Sequence, residues 1–143
     1  MTASVADQIL ARVLTVVQGV SGIAGAARNR AAAIGVDELP YANIIRGATE
    51  SMPHAERLRN NTVGFDVRIY ASGASYEQTL DGLHVAVDAA LHADATLNTL
   101  GRGLIGTGTE LDEEDAEYTC GRITARYQIH VLTRPGDLTR AIN

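Results

Sequence analysis

Thr62-Val63-Gly64-Phe65-Asp66-Val67-Arg68-Ile69-Tyr70-Ala71, then Ser72-Gly73-Ala74, then Ser75 to Leu91, is the stretch whose reading decides the fold. Val63, Phe65, Val67 and Ile69 alternate with polar or small residues, the period of a strand with one buried face. Ser72-Gly73-Ala74 breaks that pattern. Ser75-Tyr76-Glu77-Gln78 has the S-x-x-Q spacing of a capping box, in which side chains satisfy the orphan amides at a helix start. Leu80, Leu83, Val87, Ala90 and Leu91 then recur at three and four residues and line one helix face. A strand that yields to an amphipathic helix after three residues folds that helix back onto its own sheet. This unit is the expected nucleus.

Upstream, Ser4-Val5-Ala6-Asp7 reads as a cap with an acid near the positive end of the helix dipole. Ala6, Ile9, Leu10, Val13, Leu14 and Val17 keep helical spacing over 4–18, and Gly19 and Gly22 end the run. A short strand is expected within 21–30, a loop at Asp37-Glu38-Leu39-Pro40, and a strand over 41–49. Residues 50–61 are polar and carry Pro53, so they predict a long connection tipped out of the sheet. Downstream, Asp94 to Leu100 reads as a helix exit whose two leucines tuck under the sheet. The acidic run 110–117 reads as a solvated loop, and 107–117 as a second long polar loop. From Arg122 to Thr133, Ile123, Ala125, Tyr127, Ile129 and Val131 alternate with polar residues, a second long strand that pairs with the first. Pro135-Gly136 stops it, leaving 136–143 as a loose tail. The order predicts a single α+β domain over 1–143: a mostly antiparallel sheet of four or five strands, two main helices packed on one face.

Composition narrows the function. The chain has 143 residues and a net charge of −5. All its basic residues are arginines, and they form no block, which points away from dedicated nucleic-acid binding, since that needs clustered cations. Cys120 stands alone, so neither an intrachain disulfide nor a thiolate metal cluster is expected. No run reaches the ~20 apolar residues of a membrane span, and Met1-Thr2-Ala3-Ser4 lacks the basic start of a signal peptide. These features predict a soluble protein made in a reducing compartment.

Candidate chemistry is sparse. Gly101-Arg102-Gly103-Leu104-Ile105-Gly106 spells G-x-G-x-x-G, but it follows a helix exit and leads into acids, where a phosphate would be repelled. A flexible glycine-rich turn is expected there. His84, Asp88 and His92 lie four residues apart on one helix and are weak candidates for a bound transition metal. Each step drifts around the axis, so they also read as a polar helix edge. Glu110, Asp112, Glu113, Glu114 and Asp115 offer oxygens to a hard cation but lack the order of a calcium loop. A weak Mg²⁺ effect at a subunit contact is what they allow. No serine has a histidine and acid partner, and no carboxylate pair stands out, so no catalytic residue, no cofactor and no enzyme activity are expected.

Several segments, taken in order, resemble the tail terminator family (minor tail protein U-like) of lambda-type long-tailed bacteriophages. They are 37–44, Val63 to Tyr70, Leu80 to Val87, Leu91 to Leu97 and Ile123 to Val131, a series that in order and spacing spans about two-thirds of the chain. The polar stretch 50–61 and the glycine-rich stretch 101–109 depart from the lambda pattern, so no docking residue is carried over. The resemblance implies a structural virion protein, a homo-hexameric ring on the head-proximal end of the tail tube. Such a ring stops tube polymerisation and offers the surface for head joining. Its partners would be copies of itself, the major tail tube protein and connector or neck proteins. DNA would pass through without specific binding. It would reside in the virion tail, and in the bacterial host cytoplasm during assembly. The alternatives are a neck-completion protein of the same virion and a small metal-dependent enzyme using His84, Asp88 and His92.

A ring needs two different faces to meet. Asp66, Arg68, Arg122 and Arg126, on the polar sides of the two long strands, carry both signs and suit an oriented contact. They read equally as the solvated face of an antiparallel sheet. Arg57 and Arg59 in the first polar stretch, and Asp112 and Glu113 in the second, complete the candidate interface set.

Overall fold

The computed structural model of the chain describes residues 2–114 and 119–142. Its elements are α1 (Val5–Gln18), β1 (Gly25–Arg28), β2 (Tyr41–His54), β3 (Leu58–Ser72), α2 (Tyr76–Ala93), α3 (Ala95–Leu100), β4 (Arg102–Glu114) and β5 (Cys120–Thr133). The five strands form one sheet in the order β1-β2-β3-β5-β4, antiparallel except for β1 against β2. This is the α+β architecture expected from the sequence. Helix α2 packs on β3 and β5, and α1 on β1 and β2, so both main helices share one face.

The β3–β5 pair is the spine. It runs without a register break from Arg59 opposite Thr133 to Ser72 opposite Cys120. Two period-two strands held in one register put their apolar sets on one side. Val63, Phe65, Val67 and Ile69 therefore meet Ala125, Tyr127 and Ile129 under the helices, all at most 2% exposed. Phe65 and Tyr127 stack with ring centroids 5.3 Å apart. The helix α1 closes the layer with Ile9, Leu10, Val13 and Val17, and α2 with Leu80, Leu83, Val87 and Leu91. Ser4 caps α1 as expected, its Oγ accepting from the Asp7 amide at 3.1 Å.

Several expectations are corrected. Residues 50–61 are not a connection: β2 and β3 stay paired out to His54 opposite Leu58, and only Ala55–Arg57 turn. Glu56 and Arg57 take positive φ (61° and 62°) to close that turn. Pro53 is tolerated because β1 ends at Arg28, opposite Ile44, and among the described residues leaves the rest of β2 as a sheet edge, where proline is admitted. The segment 107–114 is strand β4 rather than a loop, while 115–117 lie outside the described residues. Asp112 sits opposite Arg122 of β5 and pairs with it, and Glu110 reaches Arg126 one step along that strand, which offsets part of the mutual repulsion expected of the acids. Ser75 stands at the start of α2 but makes no capping bond; its φ/ψ of −104°/28° is not the extended geometry that brings the oxygen back to the helix amides. Asp94 to Leu100 is a separate short helix. The Asp94 side chain caps it through the Leu97 amide (2.8 Å) and is gripped by Arg12 of α1 at 2.7 and 2.9 Å. Residues 136–142, expected loose, are tied back. The Val5 amide donates to Leu138 O (2.7 Å) and the Ile142 amide to Leu132 O (2.8 Å).

Candidate functional site

The face of the sheet away from the helices holds most of the polar residues singled out by sequence. Register fixes how they line up. One row across β4, β5, β3 and β2 is Asp112, Arg122, Tyr70 and Tyr41, and the next is Glu110, Thr124, Arg68 and Asn43. A third places Gly108, Arg126, Asp66 and Ile45 side by side. Four candidate residues, Asp66, Arg68, Arg122 and Arg126, thus share one surface with Asp112. Within the chain Arg122 is paired with Asp112 at 3.1 Å, and Arg126 with Glu110 at 3.0 Å. Both pairs are substantially exposed, so each contributes little to stability and mostly orients its arginine. The Nε of Arg68, in the middle of the face, is buried without a hydrogen-bond partner.

One end of this face is roofed by the segment between β1 and β2. Asn43, 4% exposed, accepts from the Arg30 amide and donates to Arg30 O, both at 2.9 Å. The Arg30 guanidinium lies 4.8 Å from the Tyr41 ring centroid and grips Glu38 at 2.8 and 3.0 Å. That bidentate bond, with the Gly35 amide at 2.7 Å, holds the Glu38 carboxyl well below the usual range, at about 2. Sequence reasoning missed this clamp, because nothing near Asn43 in the chain announces a partner thirteen residues away.

Arg57 and Arg59 lie elsewhere, at the turn between β2 and β3. Every residue from Arg46 to Arg57 is exposed. Glu113 faces the helix side of β4, opposite Gly121, on which the Tyr76 ring rests. The structure therefore gathers the eight candidate interface residues into three places: the open sheet face, the hairpin end, and the rim beside α2.

The metal candidates take a different role. Asp88 accepts from the Tyr127 hydroxyl at 3.0 Å and stands 3.5 Å from His92 Nε2. Burial, and then the Asp88 carboxylate, push the Tyr127 hydroxyl pKa upward, so it stays protonated and donates. His84 and Asp88 line an open groove of about 270 Å³ between α2 and β4, floored by Ala125 and Tyr127. Among the described residues no three His, Cys, Asp or Glu side chains come together as metal ligands. Gly106, opposite Tyr127 on the helix-facing side of β4, brings no side chain to fill the groove. Gly101 to Gly106 leaves α3 and enters β4 with no helix after it, so its amides form no phosphate cradle. Among the described residues no helix is long and apolar enough to cross a membrane.

No family model matches the chain, and no curated protein sequence matches it. Among solved structures it is similar to a chain in the virion of a native gene transfer agent particle. The TM-score is 0.54 at 16% identity, over 87% of this chain and 92% of that chain. At this identity the likeness establishes a shared fold, spanning nearly the whole of both chains.

Proposed function

We propose that this chain is a structural subunit of a phage-like particle, a tail terminator. Copies of it form a ring on the head-proximal end of the tail tube, stop polymerisation and present the surface for head joining. The observation that carries this reading is the near end-to-end likeness of its fold to a virion chain. The ordered resemblance to tail terminators supports the narrower role. So does the spread of charged residues over the open sheet face and the hairpin end.

The physical logic is that of a building block. A closed ring joins unlike faces of successive copies, and this sheet offers unlike edges, β1 with the part of β2 beyond Ile44 on one side and β4 on the other. The acidic balance of −5 suits a ring through which DNA slides without sticking. Purified protein added to tail tube protein as it polymerises tests the role. Tubes that stop growing, with this protein at one end by gold labelling, are the expected result. Tubes that lengthen as before, with label nowhere on them, contradict it.

A further inference from the structure

Among the described residues two surfaces are left uncovered, lie on opposite edges of the sheet, and differ in charge. The first is the end of the β2–β3 hairpin. Beyond Ile44 no strand pairs with the outer edge of β2 among the described residues, and Met52 is 66% exposed there. Arg57, Arg59 and the adjoining Arg134 outnumber Glu50 and Glu56 around it. The second is the groove between α2 and β4. On its β4 side stand Thr109, Leu111 (45% exposed) and Glu113, which share the helix-facing side of that strand. On its α2 side Glu77, Asp81, His84 and Asp88 follow one another at four, three and four residues, a continuous stripe along one helix edge. Helix α2 carries no arginine to offset them.

We infer that the hairpin end of one copy seats in the α2–β4 groove of the next. The inference rests on the ring reading above and names the surfaces that meet. Met52 covers the apolar side chain of Leu111, while Arg57 and Arg59 face Glu77, Asp81 and Glu113. Cations and acids on opposite edges steer copies head to tail and disfavour head-to-head approach, where like charges meet. Gly106 and Gly108 line the groove, and among the described residues no strand pairs with the outer edge of β2 from Ile45 to the turn.

Charge exchange tests the contact. Arg57→Glu with Arg59→Glu reverses the hairpin, and Glu77→Arg with Asp81→Arg reverses the groove. None of the four is held by an ion pair to another described residue, and unchanged circular dichroism verifies that each variant folds. In sedimentation velocity over a concentration series, wild type should associate, and each variant alone should need on the order of tenfold more protein. An equimolar mixture of the two should recover assembly, because each then meets an oppositely charged neighbour in alternation. Variants that associate like wild type, a mixture that stays apart, or a wild type that remains monomeric at every concentration overturn the inference. Loss and rescue in these variants, together with tubes that grow unchecked in the presence of wild type, would keep the contact and remove the terminator role. Capping of tubes by both variants as by wild type would keep the role and remove the contact.

Discussion

The two faces of this one sheet are built on different rules. Under the helices β3 contributes Val63, Phe65, Val67 and Ile69, each at most 1% exposed. From the same strand the other face receives Thr62, Asp66, Arg68 and Tyr70, flanked by arginine–acid pairs from β5 and β4. The covered face holds the fold together through burial, at roughly 25 cal/mol per Å² of apolar area. The open face spends its residues on oriented charge, which stabilises little and specifies much. Packing and oriented charge are therefore separable in this molecule, and substitutions should sort by face.

The largest effect belongs to the covered face. Phe65→Ala removes a ring stacked on Tyr127 at the centre of the β3–β5 pair, and should cost about 3–5 kcal/mol in urea unfolding. A loss under 1 kcal/mol would mean that the core does not rest on this pair. Next comes the seam where α2 begins: a Cβ at Gly121 would run into the Tyr76 ring. Gly121→Val should cost about 1–3 kcal/mol and shift the Tyr76 ring resonances in NMR spectra. Unmoved resonances would show that ring and glycine are not in contact.

Effects on the open face should be smaller and salt-dependent. A double-mutant cycle on Asp112 and Arg122, whose side chains are 36% and 28% exposed, should give a coupling of about 0.2–1 kcal/mol that shrinks with added salt. A salt-independent coupling of several kcal/mol would put this face in the same class as the core. The subtlest test is pH. Glu38 has its pKa depressed from 4.5 to about 2 in the fold. A depressed carboxylate adds stability above its unfolded pKa and loses it as pH falls through the folded one. The protection of the Arg30 and Gly35 amides, taken against the intrinsic exchange rate at each pH, should therefore be high at neutral pH and fall between pH 4.5 and about 2. Exchange that ignores this window would show that the Arg30–Glu38 clamp does not hold the roof over Tyr41.

The same contrast explains what could be read from the sequence. Val63 to Ile69 and Ile123 to Val131 were legible because one face is buried and the other is not, which imprints a period of two. Residues 50–57 carry no such imprint. There β2 leaves the cover of the helices and is exposed on both sides, so a paired strand looks like a polar loop. The acidic end of β4 was hidden for another reason. Glu110 and Asp112 are compatible with a strand only because Arg126 and Arg122 stand beside them, a fact of register rather than of local sequence. Glu113 was placed among interface residues by charge alone, and its position beside α2 depends on the same register. Asn43 and Arg12, which clamp the Arg30 segment and Asp94, have no local signature at all.

The central claim is that this chain ends a tail tube, and tail length measures it most directly. The gene should be deleted from its particle and the tails sized by electron microscopy. The account predicts overlong tails that restoring the gene brings back to uniform length. Tails of normal length that merely fail to join heads would contradict it and assign the chain to the neck.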